Sequence, residues 1–228
     1  MNVTALIPVK GFRDAKQRLS PLLGAADREL LAEAMFRDVL RAVTRARRLD
    51  ATFVVTGNDR VAEISASMGA AVIREPAETG ETGAVDFARV ELKRMGHEAV
   101  LILPGDMPLV RALDIEEVLA QMPAGATAPF ALLVPSHDRL GTNALLLAPP
   151  DVIKLRFGYD SFSYHMSRVS ARGLPLRFIE NEAIALDIDE PKDLRRFLAV
   201  GAKNGEAYRL ASGLVGQAEA RLRRSGGA

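Results

Sequence analysis

Short apolar runs alternate with amphipathic helical segments along the first half of the chain, and this rhythm constrains the fold more than any other feature. The apolar runs lie at residues 3–9, 51–57, 70–75 and 98–106. Segments in which apolar residues recur at helical spacing lie between them, at 26–48, 59–69 and 83–96. The fourth run is apolar throughout, which is typical of a strand covered on both faces. The pattern predicts an α/β fold with a mixed, mostly parallel sheet flanked by helices.

The second half of the chain has a different rhythm, in which strand-like segments outnumber helical ones. Strands are predicted at residues 126–136, 142–149, 174–180 and 183–189, and helices at 160–173 and 190–200. We therefore expect the later strands to mix direction within one domain, residues 1–200. Residues 201–228 are interpreted as a peripheral C-terminal helical extension and tail.

Composition excludes several classes of partner and site. The chain has 30 Lys and Arg residues against 29 Asp and Glu, so its bulk charge offers no attraction to nucleic acid or to an anionic membrane. The absence of cysteine excludes disulfides, thiolate metal sites and a cysteine nucleophile. No apolar run approaches the ~20 residues of a membrane span, and no signal peptide is recognisable. We expect a cytoplasmic protein that binds neither nucleic acid nor membrane.

A basic loop follows the first strand directly. It carries Lys10, Arg13, Lys16 and Arg18 with one acid, Asp14. Cationic side chains and backbone N–H groups in such a loop can bind a triphosphate and offset its charge. The loop matches neither the GxGxxG nor the Walker pattern, which disfavours those two nucleotide-binding folds. The alternative is a basic loop that is simply solvated.

Several polar residues lie at or just past the ends of predicted strands, where ligands bind in open α/β sheets. They are Lys10, Thr56, Asp106 and Asp187. Asp106 stands in the segment LPGDMP, directly after the buried fourth strand. Mg²⁺ prefers one or two carboxylates together with phosphate oxygens, so Asp106 is a candidate metal ligand. The alternative is an aspartate that caps a turn.

The segment AIALDID supplies two further acids. Because strand side chains alternate between faces, Asp187 and Asp189 are predicted to share one face, and Ile184, Leu186 and Ile188 the other. Two carboxylates on one face repel each other unless a cation lies between them. This segment therefore predicts a metal site. In the alternative, Asp189 helps to begin the helix at Pro191 and Asp187 is solvated.

Polar and glycine residues in two further segments are suited to binding a small anion. Asn143 lies in the segment GTN at the head of an apolar strand. Gly158 and Ser161 precede or begin a helix, whose free N–H groups favour a carboxylate or phosphate. For the segment with Asn143, the alternative is a plain turn before the strand. His165, one helical turn further on, is interpreted as a packing residue because no other histidine has metal-like spacing.

Five segments, taken together and in order, resemble the guanylyltransferases of coenzyme F-420 biosynthesis. They are PVKGFRDAKQRLSPLL, LPGDMPLV, GTNAL, RFGYDSFSYH and LDIDEPKDL. The resemblance covers roughly residues 3–198 and implies a GT-A-like, Rossmann-related nucleotidyltransferase fold. It implies an enzyme that transfers GMP from GTP to 2-phospho-L-lactate, phosphoenolpyruvate or 3-phospho-D-glycerate and releases pyrophosphate.

The resemblance also implies roles for single residues. The implied nucleotide site comprises Pro8, Lys10, Lys16, Arg18 and Thr56. The implied phospho-acid site comprises Asn143, Gly158 and Ser161. Mg²⁺ would be held by Asp106 and Asp187, with Asp189 in or near its coordination shell. Lys16 and Asp106 are the expected catalytic residues.

The implied reaction is an in-line attack by the acceptor's phosphate oxygen on the α-phosphorus of GTP. That oxygen is already anionic, so no general base is expected. Residues 81–88 depart from the family pattern, with Ala84 and Val85 near the expected base site, which predicts altered base recognition. The alternatives are a molybdopterin or sugar-phosphate nucleotidyltransferase of the same fold, a non-catalytic nucleotide-binding module, and a glycosyltransferase of related fold. A homodimer is considered as the assembly.

Overall fold

The computed structural model describes residues 1–77, 79–123, 129–201 and 204–225. Its strands are β1 (Val3–Pro8), β2 (Ala51–Thr56), β3 (Ala71–Arg74), β4 (Ala99–Ile102), β5 (Phe130–Pro135), β6 (Thr142–Ala148) and β7 (Arg177–Phe178). Its helices are α1 (Ala25–Thr44), α2 (Asp59–Ser67), α3 (Gly80–Arg94), α4 (Ala112–Ala120), α5 (Ser161–Ala171), α6 (Pro191–Val200) and α7 (Glu206–Ser225). A short 3-10 turn lies in the loop after β1, at Gln17–Leu19.

The seven strands form one sheet in the order β3-β2-β1-β4-β6-β5-β7. Strands β1 to β4 are parallel to their neighbours among themselves, so their carboxyl ends meet at one edge. Strand β6 is antiparallel to both β4 and β5, while β7 is parallel to β5. The predicted α/β fold with a mixed, mostly parallel sheet is confirmed.

Helices cover both faces of the sheet. Helices α1, α2 and α4 pack on one face, and α3 and α5 on the other. All four residues of β4 are buried because this strand is central and covered on both sides. This explains why its sequence is apolar throughout instead of alternating.

The late segment predicted as a strand at 183–189 is not one. Its apolar side chains nevertheless alternate into the core, as the sequence pattern indicated: Ile184, Leu186 and Ile188 are each 1% exposed or less. Its backbone forms hydrogen bonds with loops and not with a neighbouring strand. For example, the carbonyl oxygen of Ala185 accepts the His137 N–H (2.9 Å). The alternation of faces was therefore right, although the strand assignment was wrong.

Two other assignments need correction. The strand predicted at 174–180 shortens to β7, which has two residues. Helix α4 lies in a segment for which no element was predicted, and at its start the Asp114 carboxylate accepts the Arg111 backbone N–H (2.8 Å). The strand predicted at 126–136 corresponds to β5, and the first residues of that range lie outside the described residues.

Helix α7 begins by packing against α1. The two carboxylate oxygens of Asp38 accept the backbone N–H groups of Glu206 (3.1 Å) and Ala207 (2.8 Å), so an acid from α1 caps the positive end of α7. Ala207 and Ala211 are fully buried in a cluster shared with α1 and α6. The first turns of α7 therefore belong to the common core, in contrast to the peripheral extension expected from the sequence.

Within the described part of the chain, no helix combines the length and apolarity that crossing a membrane requires.

Gly105, directly before Asp106, lies in a closely packed part of the chain. A Cβ at this position would come within 3.2 Å of both Phe36 and Val9, which line a cavity beside Asp106. Forcing a methyl group into this contact should lower the free energy of unfolding of Gly105→Ala by about 1–3 kcal/mol, measured by urea denaturation.

The matched control is Gly213→Ala in α7, where a Cβ would meet no atom within 4 Å. An added methyl group in an exposed helix should raise the free energy of unfolding by up to ~1 kcal/mol. Equal urea midpoints for Gly105→Ala and Gly213→Ala would show that the packing around Gly105 relaxes without loss of stability.

Candidate active site

Two cavities open at the carboxyl ends of the parallel strands. The first cavity, about 290 Å³, lies between the loop after β1 and the ends of β2, β3 and β4. The second cavity, about 520 Å³, lies between the heads of β6 and α5 and the segment before α6. Both are lined by Glu81, Pro104 and Asp106. Asp106 therefore stands where the two cavities meet.

Lys16 makes the shortest ion pairs among the described residues that line the two cavities. Its Nζ lies 2.6 Å from Asp106 Oδ2 and 2.8 Å from Asp189 Oδ1, and its side chain is only 10% exposed. Burial alone would lower the pKa of Lys16, but the two carboxylates outweigh it and raise the pKa above its ordinary value. Conversely, burial would raise the pKa of Asp189, but the charge of Lys16 dominates and lowers it. Lys16 is thus held as a cation between two acids that come from distant parts of the chain.

Asp187 faces the second cavity beside Asp189, as the alternation of faces predicted. Its Oδ1 accepts a hydrogen bond from Asn143 Nδ2 (3.0 Å), and the same amide nitrogen donates to Ile184 O (2.9 Å). Burial, followed by the negative charge of Asp106, raises the pKa of Asp187. Asp106 and Asp187 both line the second cavity, so the fourth-strand acid and the late acid share one cleft.

Among the residues that the structure describes, one oxygen of Asp106 has no hydrogen-bond partner. Its Oδ2 contacts Lys16, whereas its buried Oδ1 accepts no hydrogen bond from any of them. A buried carboxylate oxygen needs a donor or a cation, so Asp106 with Asp187 fits a divalent ion that takes one or two carboxylates and completes its shell with phosphate oxygens and water. Asp189 is already engaged by Lys16. Across residues 1–77, 79–123, 129–201 and 204–225, no group of three His, Cys, Asp or Glu side chains is arranged to hold a metal.

The acid Glu81 was missed in the sequence analysis. It lies in the first turn of α3 and lines both cavities. Its side chain reaches solvent but is crowded by protein on the cleft side. This desolvation, followed by the charge of Asp106, raises the pKa of Glu81 to about 7, against the opposing charge of Lys10. An acidic residue among the glycines and threonines of TGETG was the available signal, but nothing local indicated that it would face Asp106.

The residues predicted for the nucleotide do not all reach the same cavity. Pro8, Lys10 and Lys16 line the first cavity. Arg18 is 71% exposed and lines the second cavity, 4.0 Å from Asp189. Thr56 is fully buried at the end of β2, and its hydroxyl accepts the Asn58 N–H (3.0 Å). Thr56 lines neither of the two cavities, and its position is explained by the turn after β2.

All three residues predicted for the small anion line the second cavity: Asn143, Gly158 and Ser161. Gly158 adopts a φ of 100°, in the region that favours glycine, and this lets the chain turn into α5. Ser161 is buried, and its Oγ accepts the Thr142 N–H (3.0 Å). The structure thus brings these three positions together beside Asp187.

Two residues of the segment 81–88 line the first cavity, Glu81 and Ala84. Ala84 lines that cavity and is 3% exposed. Val85 is fully buried among the apolar residues between α3 and the sheet and faces neither cavity. At the far end of the same cavity, beyond β3, lies Glu75, whose Oε1 accepts both the N–H and the hydroxyl of Thr79.

His165 is fully buried behind the second cavity. Its Nδ1 lies 3.0 Å from Thr142 Oγ1, and its Nε2 lies 3.1 Å from the Arg156 backbone nitrogen. Burial, followed by the charges of Arg156 and Arg89, lowers the pKa of His165 to about 4. The imidazole is therefore neutral at physiological pH, and its two nitrogens join the head of β6 to the loop before α5.

Comparison with known proteins connects this geometry to one family. A family model described as "Guanylyl transferase CofC like" matches residues 3–211. A phosphoenolpyruvate guanylyltransferase of Conexibacter woesei is 35% identical over 91% of this chain and 93% of its own. A 2-phospho-L-lactate guanylyltransferase of Methanothermobacter thermautotrophicus is 33% identical over 88% and 86%. A 3-phospho-D-glycerate guanylyltransferase of Phenylobacterium zucineum is 34% identical over 83% and 86%.

Solved structures share the fold at low sequence identity. A Desulfovibrio desulfuricans G20 protein superposes with a TM-score of 0.76 at 17% identity, over 96% of this chain and 99% of its own. A CMP:2-keto-3-deoxy-manno-octonic acid synthetase gives a TM-score of 0.59 at 17% identity, over 89% and 99%. At these identities the likeness concerns the arrangement of strands and helices alone.

The depressed pKa of His165 predicts a pH dependence of stability. Because its folded pKa of about 4 lies below the ordinary 6.5, the unfolded chain binds the proton more readily between these values. The stabilisation is complete above pH 6.5 and is lost as the pH falls towards 4, by about 3 kcal/mol in total.

The measurement is urea denaturation of the wild type and His165→Gln at several pH values between 4 and 7. Glu81 and other acids titrate in the same range, so the difference between the two proteins isolates His165. Parallel curves for the two proteins would contradict the buried neutral imidazole.

Proposed function

Because the chain belongs to the CofC-like guanylyl transferase family, we propose that it transfers GMP from GTP to a small phosphorylated acid and releases pyrophosphate. The chain is a nucleotidyltransferase enzyme, like its curated relatives. The single observation that supports the assignment of sites is the meeting of two cavities at Asp106. From the sequence resemblance, we place the reaction in coenzyme F-420 biosynthesis.

GTP would occupy the first cavity. Lys10 and Lys16 line it beside Asp106, so the triphosphate would lie at the β4 end. The base would then extend across β1 and β2 towards β3, where Glu75 lines the cavity. Only one Glu75 oxygen is engaged by Thr79, and a carboxylate can accept hydrogen bonds from the N1–H and 2-amino groups of guanine. This orientation favours guanine over adenine.

The phosphorylated acid would occupy the second cavity. Its phosphate and carboxylate are both anionic, and this cavity offers the amide of Asn143, the hydroxyl of Ser161 and the exposed cation Arg18. The curated relatives are named for phosphoenolpyruvate, 2-phospho-L-lactate and 3-phospho-D-glycerate, which share these two groups. We therefore propose that the acceptor is one of the three.

Asp106 and Asp187 would hold Mg²⁺, because the unbonded Oδ1 of Asp106 and the buried carboxylate of Asp187, whose pKa is raised, would both be stabilised by a cation. When bound, Mg²⁺ would offset the charge of both phosphorylated reactants. Asp189 would hold Lys16 in place. Lys16 is an ammonium within reach of the first cavity, so it would offset charge on the α-phosphate or the departing pyrophosphate.

The reaction needs alignment more than proton transfer. A phosphate oxygen of the acceptor attacks the α-phosphorus, the new P–O bond forms, and the bond to the bridging oxygen breaks. Pyrophosphate leaves with that electron pair. Because the attacking oxygen is already anionic, no side chain has to remove a proton, and the protein contributes positioning and charge neutralisation.

The test of the function is mass spectrometry of the products from GTP and Mg²⁺ with each of the three acceptors in parallel, repeated with ATP and CTP. We expect a guanosine diphospho-acid from at least one acceptor, made preferentially from GTP. Product from a sugar phosphate or a pterin, and from none of the three acids, would favour another nucleotidyltransferase. GTP binding without pyrophosphate release would identify a non-catalytic module.

Asp106→Asn keeps the shape of the side chain and removes the charge at the meeting point of the cavities. Loss of a group that stabilises transition-state charge costs about 10²–10³ in turnover, so kcat should fall by at least ~100-fold in a pyrophosphate-release assay. The control is Asp59→Asn, an 88% exposed acid at the start of α2, which should keep wild-type turnover. Near wild-type rates in Asp106→Asn would refute the role.

A further inference from the structure

The hydrogen bonds of His165 define its tautomer. A backbone N–H can only donate, so the bond between the Arg156 nitrogen and Nε2 (3.1 Å) requires a lone pair on Nε2. In a neutral imidazole the proton then resides on Nδ1. That proton points at Thr142 Oγ1, 3.0 Å away, so the threonine oxygen is the acceptor of this bond.

The tautomer fixes the direction of the hydrogen bond between His165 and Thr142, and a backbone N–H fixes the next one, at Ser161. Thr142 Oγ1 accepts from His165, and Ser161 Oγ accepts from the Thr142 N–H (3.0 Å). Each hydroxyl oxygen is thus used as an acceptor on its protein side, which leaves its own hydrogen free to donate. Thr142 and Ser161 both line the second cavity, where an anion requires donors.

The second link of His165 reaches the other wall of the same cavity. Arg156 directly precedes Phe157 and Gly158, both of which line it. The Phe157 ring contacts the His165 ring edge to face (5.7 Å between centroids), and the Phe157 N–H donates to Thr82 Oγ1 (3.0 Å). His165 therefore ties the head of β6 to the loop before α5 through one rigid ring.

We propose that His165, as the neutral Nδ1–H tautomer, is a positioning residue for the phosphorylated acceptor. It sets the distance between the two walls of the second cavity and directs the Thr142 hydroxyl hydrogen towards the anion, beside the Ser161 hydroxyl. It touches neither reactant. This role rests on the proposed function, because it assigns the acceptor to the second cavity, and it predicts an effect on the acceptor that GTP does not share.

Two substitutions separate the two links. The amide of His165→Asn can replace Nδ1–H as a donor to Thr142, and the longer amide of His165→Gln can replace Nε2 as the acceptor for Arg156. Each variant loses one link, so the KM for the acceptor should rise roughly 10- to 100-fold while the KM for GTP stays within about twofold. Ser170→Ala, on the exposed side of α5, is the control and should match the wild type.

A measurement without catalysis completes the test. Nitrogen-15 chemical shifts of the wild-type imidazole at pH 7 should show a protonated Nδ1 and an unprotonated Nε2. The opposite tautomer or a charged ring would overturn the proposal, even if both variants failed to fold. So would unchanged acceptor KM in folded variants. If the wild type guanylylates none of the three acids, the proposed function fails instead, and the nitrogen shifts still decide the tautomer.

Discussion

A single backbone hydrogen bond, from the Ile188 N–H to the Asp106 carbonyl oxygen (3.2 Å), joins the two segments that supply the acids of the site. The late segment, residues 183–189, forms no β-ladder with any described strand. It is fixed by this bond, by the bond from Asn143 to Ile184 O, and by the burial of Ile184 and Ile188 in the core. Because these side chains fill the core, the acid between them, Asp187, is left facing the second cavity.

The charges gathered by this arrangement are not balanced by the protein alone. Lys16 neutralises part of the negative charge of Asp106 and Asp189, yet the pKa values of Asp187 and Glu81 are still raised, first by burial and then by the charge of Asp106. A cluster of partly buried acids is costly unless a cation joins it. In the proposed function, this cluster would hold a divalent cation at the point where the two anionic reactants would approach each other.

The sequence predicted the parts of the fold that local pattern controls. Strands β1 to β4 and their helices follow from the spacing of apolar residues, since each element buries one face or is covered on both. The assignment failed at residues 183–189, because an alternating pattern records which side chains are buried but not whether the backbone finds a strand partner. It also failed at α4, which is held in part by Asn181 from a distant loop (2.8 Å to Glu117).

The sequence by itself determined the chemistry available: a basic loop after the first strand, an acid after the fourth, two acids in a late segment and no cysteine. Only the tertiary structure decided which of these meet. Lys16 contacts Asp106 and Asp189, which are 90 and 173 residues away along the chain. Glu81 lines the same cleft. The backbone N–H of Arg156 fixes the tautomer of His165. Local pattern reports burial and backbone preference, whereas contacts over such separations depend on how the whole sheet places its strand ends.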